Sequence, residues 1–145
     1  MSLCLTHIWG KEKEVLEAKN ISVYYGSVKA IENVSFKVNA GEIVAMIGPN
    51  GAGKSTALKA VFGMVNIQSG EILFNGESIK DLRPDEHVSR GISLVPEGRR
   101  LFPSMTVIEN LEMGAFLRKD NNGKADIENI LELLPALKDK RKQKA

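Results

Sequence analysis

The segment Gly48–Thr56 reads GPNGAGKST and fits the spacing G-x-x-x-x-G-K-[ST] in full. Each residue type has a task at that spacing. Gly48, Gly51 and Gly53 are expected to reach φ > 0 and to bring the main chain close to a ligand without a Cβ. Pro49, Asn50 and Ala52 complete a loop whose successive N–H groups converge on one concavity, a shape that holds phosphate oxygens. A helix starting near Lys54 adds roughly half a positive charge there. Lys54 is then the cation for the β- and γ-phosphates, Ser55 offers a hydroxyl to Mg²⁺, and Thr56 bonds an α-phosphate oxygen. The alternative, a glycine-rich turn with a solvated lysine, leaves the full pattern unexplained. The pattern specifies a nucleoside triphosphate but neither its base nor its use. No N-K-x-D guanine-reading motif occurs in the chain, which speaks mildly against a GTPase.

The flanking residues must position that loop. AGEIVAMIG, just before it, carries a continuous apolar run from Ile43 to Ile47, expected to be a strand buried on both faces. Lys54 to Phe62 is expected to be helical and to stop at Gly63. Upstream, EVLEAKNISVYYG and VKAIENVSFKV alternate like two strands of an antiparallel hairpin. SGEILFNGES reads as a short strand turning at Asn75-Gly76. RPDEHVSRG suggests a short helix from Pro84 to Gly91.

A second stretch, ISLVPEGRRLFPSMTVIENL, places a carboxylate, Glu97, after a short apolar strand. Glu97 could be the acidic residue that holds Mg²⁺ and activates water. Such a strand normally offers four apolar residues ending in Asp, whereas here Ser93 interrupts the run, Pro96 intervenes and Asp is lacking. It could also be a surface carboxylate paired with Arg99 or Arg100. Those arginines suit a loop ion pair or a partner contact better than an arginine finger. PEGRRLFPS is loop. Thr106 with Glu109 forms a capping box, so a helix is expected from Val107 to about Leu117. Ile127, Ile130, Leu131 and Leu134 share one helical face, ended by Pro135. The basic tail KDKRKQKA suits a solvated helix end or loop, or a docking patch for an acidic partner.

Bulk properties fit an ordinary globular chain. It has 145 residues, 43% of them hydrophobic and 26% charged, and its net charge of +2 is too mild to argue for nucleic acid. Cys4 is the single cysteine, so neither an intrachain disulfide nor a cysteine zinc site is available, which fits a reducing compartment. No apolar run approaches the roughly 20 residues that span a bilayer. The opening lacks the pattern of a secretory signal. Residues 1–13 are expected to be an extension or a remnant of expression, and Trp9 within them has no assignable role.

Taken in order, these pieces resemble the ATP-binding subunit of ABC transporters. VYYG, IENVSFKVNAGEIVAMIGPNGAGKST, SGEILFNGESI and LFPSMTVIENL carry the resemblance, which covers about Val15 to Leu137. LVPEGRRLFPSMTVIENLEMGAF is similar to the subfamily serving branched-chain or related hydrophobic amino-acid importers, ahead of its sister ATPase and of a urea-importer ATPase. The resemblance implies an α/β P-loop fold of ABC ATPase type, with an antiparallel β subdomain and an incomplete parallel core sheet. It makes residues 14–145 the N-terminal portion of one ATP-binding domain. It implies ATP and Mg²⁺ as ligands and puts Tyr25 where the family stacks an aromatic on adenine; without it, Tyr25 reads as a half-buried strand aromatic. Glu97 stands where most of the family has a glutamine contacting Mg²⁺. It keeps acceptor oxygens for a hard cation but loses an amide donor.

The implied partners are transmembrane permease subunits, a second ATPase subunit and, indirectly, a substrate-binding protein, on the cytoplasmic face of a membrane. The family's L-S-G-G-Q signature, Asp-Glu strand and switch histidine do not occur in the chain, where His7 and His87 are the only histidines. A chain ending at Ala145 is therefore expected to be part of a longer ATPase, to bind nucleotide without turnover alone, and to associate through uncovered sheet edges. Two other functions compete: a non-transport ABC ATPase, which usually carries insertions or a fused second cassette, and a nucleotide-binding module without turnover.

Overall fold

A computed structural model describes residues 14–98, 100–117 and 122–145. The expected extension at residues 1–13 and Arg99 lie outside the described residues. The chain divides into two compact units, Met1–Ser93 and Leu94–Ala145.

In the first unit, β1 (Glu14–Tyr25) and β2 (Val28–Asn39) form the expected hairpin, joined at Gly26 and Ser27. β1 also pairs antiparallel with β3 (Ser69–Phe74), which turns into β4 (Glu77–Ser78) to give the sheet order β2-β1-β3-β4. Asn75 and Gly76 both sit at positive φ, 51° and 83°, as a tight two-residue hairpin requires. The ladder slips between Ala18 and Ile21, and side chains repair the lost bonds. Asn20 N donates to Ser35 Oγ at 2.8 Å, and Asn33 N to Ser22 Oγ at 3.0 Å. Gly70 (φ 90°) lies where any Cβ would strike the carbonyls of Lys19 and Asn20, so β3 approaches β1 this closely only through glycine.

Helix α1 (Lys54–Val61) lays Ala57, Ala60 and Val61 into a core with Ile21, Val23, Ile31, Phe36 and Ile72. It ends as expected: Phe62 caps it and Gly63 turns away at φ 67°. Helix α2 (Pro84–Ser89) opens at the expected proline, with Glu86 Oε2 accepting from Arg83 N at 2.8 Å. It plugs the end of α1 with His87, which is fully buried, lies 5.7 Å from the Phe62 ring and bonds Arg83 O through Nδ1 at 2.9 Å. A Cβ on Gly63 would sit 2.8 Å from that imidazole.

Two expected strands are not paired. Residues 42–49 and 92–96 belong to no strand. Val44 and Met46 are half-buried, whereas Ile43 and Ile47 are 97% and 85% exposed, and Val95 is 92% exposed. This corrects the expectation of a strand buried on both faces. An apolar run is buried on two faces only where strands flank it and helices cover it. Among the described residues nothing bonds to either segment in a ladder, and the parallel pairs expected of a core sheet do not form.

The second unit is helical. α3 (Val107–Gly114) is shorter than the expected span to Leu117, which becomes a turn from Ala115 onward. Its capping box is present: Glu109 N donates to Thr106 Oγ1 at 3.3 Å and Glu109 Oε2 accepts from Thr106 N at 2.7 Å. α4 (Gly123–Leu133) buries Ile127 and Leu131, while Ile130 and Leu134 of the expected face are 37% and 49% exposed. Pro135 ends α4 and starts a short α5 (Pro135–Lys138).

The basic tail is ordered into this unit. Its carbonyls at Gln143 and Arg141 accept from Val107 N (2.9 Å) and Ile108 N (3.1 Å), and Ala145 N donates to Met105 O at 3.1 Å. Arg141 forks onto Glu128 with N–O distances of 2.9 and 2.5 Å. The tail therefore serves the opening amides of α3, which a helix start otherwise leaves without acceptors.

Candidate nucleotide-binding site

The loop Gly48–Thr56 bridges the extended segment and α1. Gly51 and Gly53 take the positive φ expected of them, 83° and 86°. Gly48 does not: it is not among the positive-φ residues, which corrects that expectation. Its glycine character serves close packing instead, since a Cβ there would stand 3.3 Å from the Ala52 Cβ. Ala52 N closes a turn onto Pro49 O at 3.2 Å.

Gly53 is both the N-cap of α1 and the point where the loop meets the sheet. A Cβ on it would overlap the Ile31 side chain and lie 2.8 Å from Ala30 O. Ile31 and Ala30 belong to β2, near the hairpin tip where Tyr25 pairs with Val28. The fold thus brings the hairpin tip and the loop together within one unit. Tyr25 is 48% exposed there, leaving part of its ring free to contact a ligand. The sequence did not disclose Ala30 and Ile31 as the loop's buttress; the signal is a strand–loop contact, invisible to a local motif.

The helix start is built for an anion. Gly53 has no side chain with which to cap the helix, and no acidic residue stands in the first turn, so the helix start carries no carboxylate of its own. Lys54 occupies the first helical position, where the macrodipole disfavours a cation. Its Nζ folds back to donate to Gly48 O at 2.7 Å and Pro49 O at 2.8 Å. The ammonium therefore spans the mouth of the loop. Ser55 is exposed and Thr56 half-buried on the same opening turn. Glycine conformation, a helix start and a spanning ammonium make a concavity whose shape and charge suit phosphate oxygens.

Glu97 lies in the other unit, on a turn where Gly98 has φ 82°. Arg100 Nε reaches the main-chain carbonyl of Glu97 at 3.4 Å. Beyond Arg100, Asn110 of α3 grips the loop. Its Oδ1 accepts from Phe102 N at 2.9 Å, and its Nδ2 donates to Phe102 O (3.1 Å), Thr106 O (2.9 Å) and Met105 O (3.4 Å). The motif reading passed over Asn110, because an asparagine inside a helix gives no sign of which loop it holds. Among the described residues no cluster of metal-ligating side chains occurs, and no helix is long and apolar enough to cross a membrane.

Known proteins share this arrangement. The chain is 41% identical over 131 residues to the high-affinity branched-chain amino acid transport ATP-binding protein BraG of Pseudomonas aeruginosa, covering 90% of this chain and 56% of that protein. It is 44% identical over 102 residues to the xylose import ATP-binding protein XylG of Escherichia coli, covering 69% of this chain and 20% of that one. The fold superposes on the crystal structure of a nucleotide-free ATP-binding cassette from an ABC transporter with a TM-score of 0.76 at 31% identity, covering 91% of this chain and 58% of the other. The chain spans about half the length of BraG. A family model described as ABC transporter matches residues 31–145, which include the whole phosphate loop. The chain has the P-loop fold of the ABC ATPases and belongs to the ABC transporter family.

Proposed function

We propose that this chain is the nucleotide-binding part of an ABC importer ATPase that hydrolyses MgATP to drive uptake of branched-chain or related amino acids. One observation carries the nucleotide reading: the helix that opens without a side-chain cap at Gly53, with Lys54 folded across the loop. Lys54, Thr56 and the N–H groups of Gly48, Asn50, Gly51, Ala52 and Gly53 take the phosphates, Ser55 takes the magnesium, and Tyr25 takes the adenine face. Glu97 offers acceptor oxygens to the metal in the glutamine's stead. Permease subunits and a second ATPase subunit complete the working assembly, on the cytoplasmic face of the membrane. The relative called a branched-chain amino acid transport protein matches 90% of this chain and the xylose relative 69%, which supports the amino-acid substrate.

Titration calorimetry tests the binding half. The chain is expected to bind MgATP, and Lys54→Ala to lose most of that affinity; a variant that binds as tightly as the parent overturns the reading. Co-purification of the full-length protein with membrane subunits, and hydrolysis stimulated by an amino acid, tests the transport half.

A further inference from the structure

We propose that Asn50 is a site of spontaneous deamidation, and that the carboxylate it yields takes the phosphate loop out of nucleotide binding unless bound nucleotide shields it; the loss of binding rests on the nucleotide reading above. The chain has three Asn-Gly pairs, at Asn50, Asn75 and Asn122. In such a pair the glycine nitrogen, having given its proton to solvent, attacks the asparagine side-chain carbonyl carbon. A new C–N bond closes a five-membered imide, the bond to the side-chain nitrogen breaks, and ammonia leaves. Water then opens the imide at either carbonyl, leaving aspartate or isoaspartate. Water enters, ammonia leaves and nothing is oxidised. The attack needs an exposed side chain, a glycine N–H that is not tied up, and a main chain free to turn.

The phosphate loop supplies these conditions. Asn50 and Gly51 are both exposed. Among the described residues no acceptor takes the Gly51 N–H, and a Cβ on Gly51 would meet nothing within 4 Å, so the glycine is open to approach. Residues 42–53 belong to no strand, and the turn over the pair is closed by the 3.2 Å bond from Ala52 N to Pro49 O. Asn75-Gly76 has the same residue types in a firmer hold. Asn75 N donates to Val15 O at 2.8 Å, and Phe74 pairs with Glu77 across the turn. The ladder thereby pins the main chain at the φ values of 51° and 83° that the hairpin needs. Asn122-Gly123 opens α4, in the second unit. The consequence at Asn50 is electrostatic. Its neighbour Pro49 accepts from Lys54 Nζ at 2.8 Å. Deamidation adds a negative charge one residue from that contact, on the loop that leads to the α1 start, where it competes with phosphate for the ammonium and the helix dipole. Phosphate oxygens held by the loop would in turn engage the Gly51 N–H and withdraw it from attack.

The test ages the chain in warm, mildly alkaline buffer with and without MgATP. Peptide mass spectrometry maps the amide-to-acid change at Asn50, Asn75 and Asn122, and calorimetry titrates MgATP into each aged sample. Asn50 is expected to convert several-fold faster than Asn75. The fraction of binding sites lost should follow Asn50 conversion, and MgATP should slow that conversion several-fold while leaving Asn75 unaffected. Asn50→Asp should bind MgATP several-fold more weakly than the fresh parent. Asn50→Gln, whose longer side chain closes a ring far more slowly, should keep its own starting capacity through the same incubation. The aged parent decides the matter even where a variant fails to fold. Conversion at Asn50 no faster than at Asn75 overturns the proposal, as does full MgATP capacity in a chain whose Asn50 has converted; the nucleotide reading stands in both cases. An equal effect of MgATP on Asn50 and Asn75 overturns the shielding. A fresh parent that binds no MgATP overturns the nucleotide reading and the loss of binding with it, whereas the conversion rates are read without ligand.

Discussion

Lys54 breaks a local rule. A cation at the first position of a helix faces the positive end of the dipole, at a cost of roughly 0.3–1 kcal/mol. Its bonds to Gly48 O and Pro49 O offset part of that. Local rules are broken most readily at functional sites, which agrees with the phosphate-binding role proposed for Lys54. Gly53 is constrained twice, by its φ of 86° and by the Ile31 and Ala30 contacts. Gly53→Ala is therefore expected to lower stability by about 1–3 kcal/mol and to weaken nucleotide binding together with it. Thermal unfolding alongside calorimetry checks both. Tyr25→Ala should weaken ATP and GTP alike by several-fold, since stacking on an aromatic face tolerates either base; unchanged ATP affinity returns Tyr25 to a strand aromatic. The residue pattern disclosed Gly51, Gly53 and Lys54 because their chemistry is local. It misassigned Gly48, whose restriction comes from Ala52 packing rather than from φ.

At the level of elements, caps and turns were legible wherever a few adjacent residues decide them. Thr106 with Glu109, Pro84, Gly63 and Asn75-Gly76 each mark a boundary that the fold respects. The apolar runs at 43–47 and 92–95 were not, because a strand needs a neighbour and composition cannot supply one. The tail was ambiguous for a related reason: its main-chain carbonyls, not its charges, do most of the joining. One charge does contribute. The Arg141 guanidinium bonded to Glu128 holds that carboxyl below the ordinary glutamate range. A depressed folded value means the clasp contributes at neutral pH and is lost as pH falls through that value, into acid. A carboxyl titration followed by NMR should show the Glu128 midpoint move upward in Arg141→Ala, while Glu109, held down by its bonds to Thr106, stays put.

For the molecule as a whole, uncovered apolar surface is the dominant physical fact. Ile43, Ile47 and Val95 are each more than four-fifths exposed, on extended segments with no ladder partner among the described residues. Such segments pair readily with other chains. The isolated chain is expected to self-associate in light scattering, and Ile43→Ser/Ile47→Ser to reduce the association without touching the phosphate loop; a parent chain that stays monomeric at high concentration contradicts this.

The join between the tail and the start of α3 also bears on how the chain is made. Val107 and Ile108 leave the ribosome well before the carbonyls of Gln143 and Arg141 that accept hydrogen bonds from their N–H groups. Until α4, α5 and the tail have followed, the start of the nascent helix has its own side chains Thr106, Glu109 and Asn110 to steady it. A synthesis stalled inside α4 would leave the opening amides of α3 without those two acceptors.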